Sequence, residues 1–172
     1  MLRLVAALLL LSVVAAPAGA QTQWVRYVSA DGRFEAAFPT EPNVADVADA
    51  SGRRDLDLIV ELADDEAYLI SVSSFPPGTE AGTPTAQILQ KIETASKQGD
   101  FANAAVLASE PVTLGRWQGR ELAMRNDKGL VYRARLFWIG TTLYQVVAIV
   151  GEARVAQAPV KRFLDSFKIL KE

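Results

Sequence analysis

The chain has 172 residues, half of them apolar, with 18 Lys and Arg against 20 Asp and Glu and a formal net charge of −2. It contains no His and no Cys, which excludes a Ser-His-Asp triad, imidazole proton shuttles, thiol nucleophiles, thiolate metal sites, disulfides and a lipid-anchoring cysteine. A charge balance this close to zero also argues against a nucleic-acid binder, which displaces counterions with a clustered basic surface.

Met1-Leu2-Arg3 makes a short positive start, and Leu4 to Ala16 is apolar apart from Ser12. Pro17 breaks the run, and Ala18-Gly19-Ala20 has the small-x-small form that signal peptidase accepts. The apolar run is shorter than the roughly 20 residues a helix needs to span a bilayer. Residues 1–20 are therefore expected to be a signal peptide rather than an anchor. Cleavage after Ala20 would leave a single domain, residues 21–172, with Arg3 the only charge removed and a net charge of −3. Such a chain is expected in a bacterial periplasm or secreted, with no stable membrane span. An oxidising compartment permits disulfides, yet none can form, so stability must come from packing alone.

Trp24 to Val28 reads as a short aromatic strand closed by Ser29-Ala30-Asp31-Gly32, with Gly where a turn needs positive φ. Arg33 to Phe38 follows, with Phe34, Ala36 and Phe38 on one face. Pro39 and Pro42 end it, because proline has no N–H for a ladder. Residues 43–53 are small and polar, a loop or a weak strand. Asp55 to Leu62 alternates Leu56, Leu58, Val60 and Leu62 against Asp55, Asp57, Ile59 and Glu61, and Asp64-Asp65-Glu66 turns the chain. Ala67 to Phe75 returns with Tyr68, Ile70, Val72 and Ser74 on one side, which predicts a hairpin.

Pro76-Pro77-Gly78 through Gly82 resembles a linker, and Thr83-Pro84 is a helix start with Thr83 as cap and Pro84 in the first turn. Ile88, Leu89, Ile92 and Ala95 recur at helical spacing, and Gly99 supplies a stop. Val106 to Leu114 carries Pro111, which predicts an edge strand or a bulge. Gly115 to Gly119 is expected to turn the chain and Arg120 to Asn126 to run back. Asn126-Asp127-Lys128-Gly129 is a hairpin signal, followed by strands Leu130–Ile139 and Thr142–Val150 around Gly140-Thr141. Val155, Ala156, Val160, Phe163, Leu164 and Phe167 form a last helical stripe, split or started by Pro159.

Many antiparallel strands with two helices predict an α+β fold, a central antiparallel β-sheet flanked by helices. The competing architecture is an eight-stranded, lipocalin-like barrel closed by a C-terminal helix. Apolar residues on both faces between Val131 and Val150 favour the covered sheet.

The run Trp24-Val25-Arg26-Tyr27-Val28-Ser29-Ala30-Asp31-Gly32-Arg33-Phe34, continued by Phe38-Pro39-Thr40-Glu41-Pro42, resembles the opening of small exported bacterial proteins of the PsbP-like group. The group's pattern is a Trp, a Ser-x-Asp/Glu-Gly-Arg-Phe turn-strand and Phe-Pro-x-x-Pro. Arg135-Leu136-Phe137 to Leu143-Tyr144 and the closing Phe163-Leu164-Asp165-Ser166-Phe167 also fit. The resemblance covers most of the chain after residue 20, with the opening motif its distinctive part. It implies an α-β-α sandwich with a central antiparallel sheet. It also implies a mostly non-catalytic group whose members dock onto partner proteins or serve envelope complexes. Metal sites of some members use His, which this chain lacks. The matching positions read as structural: Phe34 and Phe38 core, Gly32 a turn, Pro39 and Pro42 a strand exit.

Two acidic clusters, Asp64-Asp65-Glu66 and Asp46, Asp49, Asp55 and Asp57, offer oxygens to a hard cation but lack EF-hand spacing. They read more simply as solvated turns. Arg133 and Arg135 share one strand face, with Arg125 on the preceding strand. Together they would clamp an anion or an acidic patch, unless they pair across strands with Glu121. Arg116-Trp117 at a hairpin tip has the composition of a binding hot spot, though a Trp folding back over a sheet edge would also explain it. These five residues form the candidate partner surface. No catalytic, cofactor or metal residue is assigned and no cofactor is expected. The expectation is a monomeric, exported, non-catalytic binding or accessory protein of the bacterial cell envelope. Its partner would be an unidentified envelope protein, not nucleic acid. The alternatives are a small apolar-ligand carrier with a cavity behind Phe137 and Tyr144, and a hydrolase relying on carboxylates.

Overall fold

The computed structural model describes residues 24–63 and 65–171. The expected signal peptide, and Asp64 of the expected acidic turn, lie outside the described residues. Seven strands make up the large sheet: β3 (Asn43–Ala48), β4 (Arg54–Ala63), β5 (Glu66–Ser74), β6 (Ala105–Leu114), β7 (Trp117–Arg125), β8 (Leu130–Ile139) and β9 (Thr142–Gly151). They form one antiparallel sheet in the order β3-β4-β5-β9-β8-β7-β6. A smaller antiparallel sheet holds β1 (Val25–Val28), β2 (Phe34–Phe38) and β10 (Lys168–Ile169), in the order β1-β2-β10.

Because successive side chains alternate faces, β8 and β9 present two apolar surfaces, and each is covered. On one face Tyr68, Ile70, Phe137, Tyr144 and Val146 pack against Phe34 and Phe38 of β2 and against Phe163, Leu164 and Phe167. Phe163 and Leu164 belong to α2 (Ala158–Ser166), whose first turn contains Pro159. On the other face Leu89 of α1 (Thr85–Ala95) lies on Ala134, Leu136 and Val147, and Phe101 covers Leu122 and Met124. The result is a sheet between helices. The barrel alternative is corrected: β3 and β6 end the large sheet as open edges, since covering both faces with helices and a second sheet removes the need for closure.

Two local expectations change, and one open choice closes: of the loop or weak strand expected over 43–53, residues 43–48 form strand β3 at the sheet edge, exposed along its whole length, which explains its weak apolar signal. Helix α1 begins one residue later than Thr83-Pro84 predicts: Pro84 takes the cap position, its carbonyl accepting from the Gln87 and Ile88 N–H groups, and no side chain caps the helix. The expected turn Gly115–Gly119 shrinks to two residues, Gly115 and Arg116, because Leu114 pairs directly with Trp117. Gly119 lies inside β7, opposite Phe137.

Other expectations hold. Pro111 sits on edge strand β6, which also carries a bulge between Val106 and Ala108, so the proline's missing donor removes no interior ladder bond. In the Asn126–Gly129 turn, the Asn126 side-chain oxygen accepts from the Lys128 and Leu130 N–H groups at 3.0 and 2.9 Å. Ser29 organises the first hairpin. Its hydroxyl donates to Asp31 at 2.7 Å and accepts from the backbone N–H of Arg33 and Phe34 at 2.9 and 3.1 Å.

Candidate functional site

The β7–β8 register sets Glu121 opposite Arg135 and Ala123 opposite Arg133, so all the charged groups here lie on the α2 face of the sheet. The Glu121 carboxylate accepts from Arg133 Nε and Nη2 on one oxygen, at 2.9 and 2.6 Å, and from Arg135 Nε on the other, at 2.8 Å. Arg135 Nη1 also donates to the Leu164 carbonyl at 3.0 Å and pairs with Asp165 at 2.8 Å. Arg133 Nη1 donates to the Val155 carbonyl at 3.3 Å. Burial pushes the Glu121 carboxyl up, but the hydrogen bonds from Arg135 and Arg133 outweigh it and hold it below the usual glutamate range. Burial also opposes the Arg135 charge, yet Glu121 and Asp165 keep that guanidinium above its ordinary value. This half-buried network spends its donors on fastening α2 and the segment before it to the sheet. Arg125 pairs on the surface with Glu152 at 2.7 Å.

Arg116 and Trp117 lie elsewhere. Nine-residue β7 starts at Trp117 and ends at Arg125, which separates the two by about 27 Å at ~3.4 Å per residue. The five arginine and tryptophan positions therefore occupy three places: the mid-sheet network, an exposed pair at one end, and the β6–β7 hairpin tip at the other. At that tip the Arg116 guanidinium lies over the Trp117 ring, 4.6 Å from its centroid. The indole is half-buried, stands opposite Leu114 across the hairpin and packs against the main core.

The tip borders a cleft of about 640 Å³, lined by Arg116, Trp117, Ile88, Trp138, Thr141 and the loop from Gly78 to Thr83. The loop was legible only as a linker. Its signal was its turn chemistry: Gly78 and Gly82 take positive φ, and Glu80 does so as well, at 56°. Glu80 is held there by a hydrogen bond from Lys91 at 2.9 Å and by its carbonyl accepting from Thr83 N–H. This cleft can receive a protruding apolar or aromatic group between Trp138 and Trp117, with Arg116 and Glu80 at its rim.

Several members of the acidic clusters have local partners. Asp46 pairs with Arg54, and Asp55 accepts from Arg53 and Ser73. Asp49 accepts from Ser51 and from the Arg53 N–H, and Glu66 pairs with Arg154 at 2.6 Å. Among the described residues no group of three or more acidic side chains converges to hold a metal ion.

No protein-family model matches the sequence, and no curated protein matches it. Among solved structures, the solution structure of cyanobacterial PsbP (CyanoP) from Synechocystis sp. PCC 6803 is similar over 90% of this chain and 97% of that chain. The TM-score is 0.59 and the identity 16%. The fold is PsbP-like. A crystal structure from Bacteroides thetaiotaomicron VPI-5482 overlaps less well, with a TM-score of 0.45, 14% identity, and 86% of this chain against 48% of that one. The PsbP-like fold agrees with the opening motif and with the sheet-between-helices architecture. Among the described residues no helix is long and apolar enough to cross a membrane.

Proposed function

We propose that this protein is exported to the bacterial envelope and acts there as a non-catalytic accessory protein that docks on another envelope protein. The docking end would be the β6–β7 tip. The observation that carries this reading is the Arg116–Trp117 stack beside a cleft, with the indole ring already held against the core. An aromatic side chain ordered before binding loses little entropy on contact, which is why Trp and Arg dominate interface energetics. The signal-like first 20 residues and the PsbP-like resemblance support the compartment and the accessory role.

A hydrolase built on carboxylates needs one acid held protonated near neutral pH. Among the described residues, the Asp and Glu carboxyls with displaced pKa values, those of Asp31, Glu35, Asp46, Asp49, Glu80, Glu121 and Asp165, all move down, toward permanent ionisation. A carrier with a cavity behind Phe137 and Tyr144 meets a filled core. Phe167 stacks on Phe137 with ring planes 12° apart and lies 5.8 Å from Tyr144.

The test is affinity capture from an envelope extract of the source bacterium, with wild type, Arg116→Ala and Trp117→Ala as baits. One protein is expected to be retained by wild type and lost with both variants. Equal retention by all three would remove the docking surface from consideration.

A further inference from the structure

The large sheet ends in two edges that are built differently. On β6, Pro111 and the bulge between Val106 and Ala108 break the regularity of the edge, and both are devices that keep a further strand from joining. Edge strand β3, at the other end of the sheet, has neither. Its six residues pair with β4 without a register shift and contain no Pro, Gly or Lys. All are exposed, Val44 at 55% and Val47 at 64%.

The turn after β3 fixes which backbone groups face outward. The Asp49 N–H donates to the Arg53 carbonyl at 2.9 Å, so in the unbroken register that precedes it Val47, Ala45 and Asn43 bond to β4. Val44, Asp46 and Ala48 alternate with them and turn their N–H and C=O groups away from the sheet. Among the described residues no strand meets that row. A row of this kind is a template for an added strand.

Charge selects the strand that would join. Residues 41–61 hold six carboxylates, Glu41, Asp46, Asp49, Asp55, Asp57 and Glu61, against two arginines, in a chain of net charge −2. Both arginines are spent, Arg54 on Asp46 and Arg53 on Asp55. Asp57, half-buried and opposite Ala45, has no ion pair or hydrogen bond among the described residues. The excess is felt across the gap to the small sheet: burial pushes the Tyr27 phenol up, and Asp31, Asp46 and Glu41 push it further. A second copy of this chain would bring the same carboxylates to the edge. A basic segment offsets them. A Lys facing Ala45 clears that small side chain toward Asp57, one strand further in, and the next residue falls beside Asp46. We infer that β3 accepts an extended, lysine-bearing segment of another polypeptide as an eighth strand of the large sheet, with apolar residues beside Val44 and Val47.

The probes are two dye-labelled hexapeptides followed by fluorescence anisotropy, Thr-Val-Lys-Lys-Val-Thr with blocked ends and the same peptide with Glu for both Lys. Saturable binding of the lysine peptide is expected, weakening as salt is added, with no binding of the glutamate peptide. Val44→Pro removes an outward N–H and no bond to β4, and should weaken binding about tenfold or more. Asp57→Asn should weaken it about threefold, the size of an exposed ion pair. Failure of the lysine peptide to bind at millimolar concentration, equal binding of the two peptides, or full affinity in Val44→Pro would overturn the inference. Should Val44→Pro fail to fold, a lysine peptide N-methylated at its first Lys and second Val, the positions facing Asp46 and Val44, takes its place. Undiminished affinity of that peptide overturns the inference equally. A wild-type dimer in sedimentation equilibrium that Val44→Pro dissociates would assign the edge to a second copy and overturn it as well.

Discussion

Gly119 lies flat against the ring of Phe137. A Cβ placed on Gly119 would stand 2.4 Å from two ring carbons of Phe137 and 2.5 Å from the Leu136 carbonyl oxygen. The two residues are direct cross-strand partners in the β7–β8 ladder, so glycine here is a packing requirement and not a turn. Phe137 can then lie down over β7 and meet Phe167.

Gly119→Ala should therefore destabilise the fold. Overpacking of this kind costs about 1–3 kcal/mol, and the upper end is expected because one of the clashing atoms is backbone. Chemical denaturation should show a lower midpoint with an unchanged slope. A midpoint equal to wild type would mean that Phe137 can move aside freely.

Glu121→Gln removes the anion shared by Arg133 and Arg135. The two arginine side chains retain 28% and 19% exposure, so the loss is set at about 2 kcal/mol, below the roughly 3–5 kcal/mol of a fully buried pair. The same group shapes the acid response. Its folded pKa is below the ordinary value, so its stabilisation is complete above the ordinary glutamate range and is lost as pH falls through the lower folded value. Denaturation midpoints followed from neutral pH to acid should fall for wild type and fall less steeply for Glu121→Gln. Parallel profiles would show that the carboxylate contributes nothing to acid stability.

Ser29→Ala tests why the opening motif reads as it does. Ser29 is 4% exposed, and its hydroxyl accepts from two backbone N–H groups, one of them the buried Phe34 N–H. Removing it leaves those donors with fewer partners, at a cost of about 1–3 kcal/mol. A thermal melt should shift down by several degrees, as a change of that size implies in a domain of this length. An unshifted melt would mean that water replaces the hydroxyl without penalty.

Arg116→Ala and Trp117→Ala should separate contact from stability. The Arg116 stack on the surface is worth about 0.5–1 kcal/mol, whereas loss of the half-buried indole should cost about 2 kcal/mol, less than the 3–5 kcal/mol of a fully buried Trp. Both should abolish partner retention. If only the less stable variant loses the partner, the arginine has no part in docking.

Much of the architecture was legible because one-sided strands and amphipathic helices write their periodicity into the chain. Tyr68, Ile70 and Val72 fall on one side of the strand's two-residue period because that face of β5 is core, and that spacing survives without any structure. The opening motif was legible for a different reason: Ser29, Asp31 and Gly32 close a turn by local hydrogen bonds. Edge strand β3 was not legible, since it buries nothing and so carries no alternation. Strand β10 is two residues long and exists only because β2 offers it an edge. Of the candidate surface, the sequence placed Arg133 and Arg135 on one face and named Glu121 as their possible partner. Which donors the fold would spend depended on β7–β8 register, and the separation of Arg116 from Arg125 depended on where the turn fell.

By itself, then, the sequence determined the chemistry that is excluded, through the missing His and Cys. It also determined the antiparallel, helix-covered fold class, because composition and periodicity are local properties. The tertiary structure alone decided that the sheet stays open, that Gly119 is a packing glycine, and that α2 is fastened through Arg135. It alone placed Tyr144 beside a cleft walled by a hairpin more than a hundred residues earlier in the chain. Such juxtapositions come from register and long-range packing, in which each residue's neighbours are chosen by other segments of the chain.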